Sequence, residues 1–100
     1  MGSHNKYYIS KETWVNNVRP LIWKRDGKKC VRCRINLSLN ECHIDHIKSG
    51  KFANNYFTNL RTLCRRCHVL RDDKNHLGMI ASALRDEIIP TDWRKYTWEG

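Results

Sequence analysis

Two CxxC units, Cys30-Val31-Arg32-Cys33 and Cys64-Arg65-Arg66-Cys67, are the residues whose types and spacing point most directly to chemistry. A CxxC turn sets two thiolates on one side of a tight knuckle, and two knuckles complete a tetrahedral shell for Zn²⁺. With Cys30, Cys33, Cys64 and Cys67 filling all four positions, such an ion has no place for water and is structural. A pair of redox dithiols fits less well, because the flanking residues are not a thioredoxin-like βαβ unit; an iron–sulfur cluster is the other alternative. The fifth cysteine, Cys42, has no partner at useful spacing and reads as a buried, inert strand residue.

A second group of polar residues lies between the pairs or at their edge: His43, Asp45, His46, Asn59 and His68. A zinc staple joining residues 30–33 to residues 64–67 closes this segment into one loop and draws the group into one neighbourhood. An imidazole has a pKa near 6.5, so His46 can exchange a proton near neutral pH. Asp45 and His68 are suitable ligands for a second, exchangeable divalent ion. Alternate strand residues share a face, so His43 lies on the side of Asp45, as a buttress, a phosphate contact or a structural histidine. Asp72 follows His68 by one helical turn and reads as a third ligand, an outer partner or a solvated carboxylate. His76 reads as a surface or helix-start residue. Asp45 and His46 are adjacent and face opposite ways in a regular strand, so they can flank one phosphate only where the strand ends or distorts. Lys48-Ser49-Gly50 is consistent with such an ending.

These residues need elements to position them. Ser10 suits the cap of a helix from Lys11, with Trp14, Val15 and Val18 on its apolar face. Pro20 is expected to break that helix and open a second, which Gly27 stops. The two form a brace over residues 10–27. Residues 40–47 read as a strand, 51–58 as a polar loop and 59–63 as a second strand. A helix over about 65–73 carries Cys67 and His68 in its early turns. A further helix over 78–87 buries Ile80, Ala83, Leu84 and Ile88 and ends at Pro90. Beyond it, Trp93, Tyr96 and Trp98 are expected to pack against Trp14 and Trp23, with base stacking as the alternative.

The chain has 100 residues, enough for one small domain of the kind that often needs a staple. Lys and Arg number 19 against 10 Asp and Glu, a net charge of +9 that points to a polyanionic partner. Mean hydropathy is −0.74, and no apolar run is long enough to span a bilayer. Residues 1–4, including His4, resemble a tag remnant and carry no functional expectation. No leader is expected, and an odd cysteine count argues against a disulfide framework, so the expected setting is cytoplasmic, in a bacterial or phage-infected cell.

The segment from Cys30 to about Asn75 resembles the HNH endonucleases, the ββα-metal or His-Me finger nucleases. The resemblance rests on His43-Ile44-Asp45-His46-Ile47, on Asn59-Leu60-Arg61-Thr62-Leu63 and on Cys64-Arg65-Arg66-Cys67-His68, in that order. Arg25-Asp26-Gly27 is similar to the family as well. The resemblance implies an α+β ββα-metal domain over residues 5–100, with its core at 30–75, flanking helices and a structural zinc. It implies DNA hydrolysis, by nicking or double-strand cleavage, leaving 5′-phosphate and 3′-hydroxyl ends. His46 is then the general base, Asp45 and His68 hold Mg²⁺, Mn²⁺ or a different divalent transition metal, and Asn59 holds the loop and orients the His46 ring or, as in some members, reaches the metal. Lys48, Lys51, Arg61, Arg65, Arg66 and Arg71 are the candidate DNA contacts. Compact, free-standing members are similar to phage proteins that act beside terminase subunits. A non-catalytic zinc-ribbon module binding nucleic acid is the rival; an adaptor for an acidic protein is a third reading. Oligomeric state is not legible.

Overall fold

The computed structural model describes residues 9–48, 53–71 and 77–98. His4, Lys51, Asp72 and His76 lie outside them. Helix α1, Lys11–Thr13, starts where Ser10 Oγ accepts from the Thr13 amide at 3.2 Å. A π-helical turn, Trp14–Val18, follows and runs directly into α2, Arg19–Arg25. Pro20 was expected to separate two helices, but the axis continues. In an α-helix the Pro20 ring would meet the carbonyl four residues earlier. Here the Arg19 amide bonds Trp14 O, five residues back, and the widened turn relieves the clash. Gly27, at φ +78°, stops α2: its amide bonds Lys24 O at 3.0 Å, and that of Lys28 bonds Trp23 O at 2.8 Å.

Strand β1, His43–His46, pairs antiparallel with β2, Leu60–Leu63, in the register His43↔Leu63, Asp45↔Arg61 and His46↔Leu60. Helix α3, Arg65–Leu70, follows β2 at once, and α4 spans Leu77–Arg85. The architecture is therefore α+β with a ββα core, as the sequence implies. Among the described residues no helix is long and apolar enough to cross a membrane.

Three apolar clusters hold these pieces. Val18, Ile22 and Leu60 join the N-terminal helices to the sheet, with Trp14 and Ile44 against them. Burying a side chain such as Ile22 contributes about 1.5–3 kcal/mol, which is why the brace stays on the sheet. Val69, Leu70, Ala83 and Ile89 join α3 to α4. Cys30, Leu63 and Cys67 form the third cluster beneath the knuckles. Helix α4 ends at Arg85, ahead of Pro90, because Glu87 takes φ +57° and the Ile88 amide turns back to Ala83 O at 2.8 Å. The aromatic tail also departs from expectation. Trp93 and Trp98 pack on α3 and α4, whereas Trp14 belongs to the N-terminal cluster and Trp23 Nε1 donates to Leu37 O. The unpaired Leu70 carbonyl at the end of α3 accepts from the Trp98 amide, and this anchors the tail there.

Candidate functional site

The four knuckle cysteines converge, with ligand atoms all within 4.8 Å of one another. Cys33 Sγ and Cys64 Sγ are 3.8 Å apart. A tetrahedron with Zn–S bonds of about 2.3 Å has sulfur–sulfur edges of about 3.8 Å, so the donor set fits zinc. Each knuckle is locked by an amide: Cys33 N donates to Cys30 Sγ, and Cys67 N to Cys64 Sγ. Burial opposes ionisation of Cys30, but amides of Cys33, Cys64 and Arg32 outweigh it and bring its pKa down to about 7. Burial pushes Cys64 and Cys67 up, as expected for thiols crowded together without an ion's charge. Cys42 stands apart, buried, donating to Leu39 O and accepting from Arg19 Nη2; burial raises its pKa.

The second group gathers where β1 meets α3. Asp45 is 3 % exposed. Its Oδ1 lies 3.4 Å from His68 Nε2 and 3.2 Å from Arg71 Nη1, while Oδ2 accepts from Arg61 Nε at 2.8 Å. Arg61 is the cross-strand partner of Asp45, so the ion pair follows from the register. Burial works to raise the Asp45 pKa, but His68, Arg61 and Arg71 overcome it and hold the carboxyl below its ordinary range. His43 shares Asp45's strand face and meets α3 too: its Nδ1 is 2.9 Å from His68 Nδ1, the rings edge to face. Burial, then the charges of His68, Arg19 and Arg65, bring the His43 pKa down to about 4. Both His68 nitrogens are thus engaged, Nδ1 by His43 and Nε2 by Asp45.

His46 faces the other way. Its ring stacks on Trp14, centroids 5.6 Å apart and planes 10° from parallel. Nε2 lies 2.7 Å from Asn55 Oδ1. An amide oxygen only accepts, so in this pairing Nε2–H is the donor. The ring's partner is Asn55 rather than Asn59. Asn59, 7 % exposed, ties the loop instead. Its Oδ1 accepts from Lys48 N at 2.8 Å, and its Nδ2 donates to Lys48 O and Asn54 O. Among the described residues, then, Asp45, His68 and His43 come together, while His46 is held by Trp14 of the π-helical turn and by Asn55 of the 53–56 loop.

Residues 30–74 match the HNH endonuclease family model. No curated protein and no solved structure matches the chain. Within this HNH segment the expected DNA contacts divide. Lys48 and Arg66 are exposed. Arg71 is 6 % exposed and donates to Asp45, His46 O and Ile47 O, so it faces inward. Arg65 bonds Ser82 Oγ and Asp86 on α4. Arg25-Asp26, ahead of the HNH segment, braces β2: Asp26 Oδ2 accepts from Thr62 N, and Arg25 donates to Phe57 O and Leu60 O. Asn55 and Trp14 are the site residues that sequence reading passes over. Asn55 sits in a polar loop with nothing to distinguish it from Asn54, and Trp14 reads as core.

Proposed function

We propose that the chain is a metal-dependent endonuclease that hydrolyses DNA phosphodiester bonds. The observation that carries this reading is the approach of His68 Nε2 to Asp45 Oδ1, 3.4 Å, in a segment that matches the HNH model. A carboxylate and an imidazole nitrogen suit Mg²⁺, Mn²⁺ or another transition metal. Asp45 and His68 would hold that cation, with Asp72 as a third candidate. When bound, it supplies charge stabilisation at the phosphate and at the departing oxygen.

The protein's own groups do the rest. Asn55 fixes the His46 ring through Nε2–H, so Nδ1 takes a proton from water as the water oxygen attacks phosphorus. The P–O3′ bond breaks, the departing O3′ takes a proton from solvent water, and the products are a 5′-phosphate and a 3′-hydroxyl. Asn59 pins the loop that follows His46. His43 fixes the His68 ring so that Nε2 faces Asp45. Trp14 covers one face of the His46 ring. The four-cysteine zinc site keeps α3 against the sheet. DNA is the substrate, bound through Lys48, Lys51 and arginines near the site. The setting is the cytoplasm, with terminase subunits as partners by family likeness.

The rival reading, a non-catalytic zinc module that binds nucleic acid, is favoured by one observation: Asp45 already has two guanidinium partners. A plasmid-nicking assay across a metal series separates the two. We expect wild type to nick with Mg²⁺ or Mn²⁺ and His46→Ala to lose about 10²–10⁴-fold in rate with zinc content unchanged. No cleavage by wild type with any metal would establish the module instead.

A further inference from the structure

The described cations sort by partner. Arg25, Arg61, Arg65, Arg71, Arg85 and Lys95 each lie beside a carboxylate. Arg32 and Arg66, one in each zinc knuckle, lie on aromatic rings: Arg32 Cζ is 5.0 Å from the Trp98 centroid, and Arg66 Cζ is 5.8 Å from that of Tyr96. Both arginines are exposed, and no ion pair among the described residues engages either. Trp98 is itself fixed, donating Nε1–H to Cys67 O at 2.7 Å and its amide to Leu70 O at 3.1 Å. Its ring also carries Arg61, 4.9 Å from the centroid, which reaches Asp45 at 2.8 Å. A connected row therefore runs from Arg32 through Trp98 and Arg61 to Asp45, and Arg66 on Tyr96 shares the knuckle and the tail.

A guanidinium lying on a ring loses rotamer freedom but keeps its N–H edges for a planar, bidentate anion. Two arginines on one indole repel each other, and a phosphate relieves that repulsion. From this we infer that Arg32 and Arg66 grip the phosphate backbone of duplex DNA, on a track plated by Trp98 and Tyr96 that leads from the zinc knuckles to Asp45. The inference rests on DNA being the substrate, as proposed above. It gives the tail aromatics a task other than base stacking, and it adds Arg32 to the DNA-binding residues.

The test is fluorescence anisotropy of a short labelled duplex with the zinc-loaded full chain, in a His46→Ala background so that the DNA stays whole. Arg32→Ala and Arg66→Ala should each flatten the slope of log K against log salt by about 0.9. Arg85→Ala, exposed and carboxylate-paired, should leave it unchanged. Tyr96→Leu keeps every charge yet should weaken binding about two- to fivefold, the value of an exposed cation–π contact. Zinc is measured in each variant. If Arg32→Ala loses zinc, Arg32→Lys carries the test: it keeps the charge but cannot lie flat on the indole, and full affinity there overturns the plating. Wild-type affinity and slope in the zinc-loaded Arg32→Ala/Arg66→Ala double variant overturn the track. Plasmid cleavage is scored apart. Intact cleavage with unchanged slopes removes the track alone, whereas flattened slopes without cleavage remove the nuclease reading and leave the track.

Discussion

The two centres of this molecule, the thiol cluster and the Asp45–His68 pair, are joined by α3 yet built on opposite plans. In the cluster, four like donors face one another within 4.8 Å and are helped by backbone amides. At the pair, each donor is held by a different kind of neighbour: Asp45 by two arginines, His68 by His43. Thiols crowded together are unstable as anions without an ion's charge, so the first centre makes sense only when filled. A carboxylate already balanced by guanidinium groups is stable alone, so the second arrangement is held by its own residues. One is built to be closed by an ion, and the other is closed by its own side chains.

The sharpest way to break this contrast is Cys64→Ser. Cys64 caps α3 and contributes one of four ligands, and folding in such sites is coupled to zinc. The expected result is loss of both zinc and the cooperative thermal transition, read by metal analysis and circular dichroism. A folded, active variant would show that the knuckles hold without the ion.

Asp45→Ala should do the reverse, keeping zinc and losing the exchangeable ion, measured by Mn²⁺ titration. It also removes the carboxylate opposite the buried Arg71, which keeps its bonds to His46 O and Ile47 O, so the cost stays below the roughly 3–5 kcal/mol of a wholly unpaired buried charge. Unchanged Mn²⁺ affinity would place the second ion elsewhere.

Asn55→Ala leaves the thiol cluster and the Asp45–His68 pair in place and removes the acceptor that holds the His46 ring. A fall of about 10–100-fold in kcat, the range for lost orienting partners, with KM and zinc unchanged, is expected. Equal loss in kcat and KM would point to a loop defect instead.

The smallest effect is expected at Glu41, whose carboxylate accepts from the Ser38 amide at 3.0 Å in the turn before β1. That amide holds its pKa below the ordinary value. A lowered folded pKa favours the native state above the unfolded pKa of about 4.3, and the benefit fades as pH falls through the folded value. Glu41→Gln should therefore flatten the acid limb of the thermal-stability profile, lowering Tm slightly at pH 7 and changing little at acid pH. An unchanged acid limb would mean the turn is held by its backbone alone.

What the sequence discloses follows from how local each feature is. The CxxC pairs, the Asp45-His46 dipeptide and the β1–β2–α3 order are written in short spacings, and strand alternation alone puts His43 with Asp45. Interactions set by register or by a distant surface are not written that way. Arg61 and Arg71 read as solvent-facing cations; one is turned to Asp45 by its cross-strand position, the other by the exposed carbonyls of residues 46 and 47. The tail packs on α3 because a free carbonyl awaits it there, which composition cannot reveal. The Pro20 reading assumed that a helix yields to proline by stopping, whereas this one yields by widening.

That widened turn bears on how the sequence can change. The π-helical turn at Trp14–Val18 is, in helical register, one inserted residue. Deleting Asn16 or Asn17 would restore ordinary winding with little net rotation of the residues upstream, and it would bring the Pro20 ring back against the carbonyl four residues before it. Substitutions can accumulate along this helix, but its length cannot shorten by a single codon without restoring the clash that the wide turn relieves.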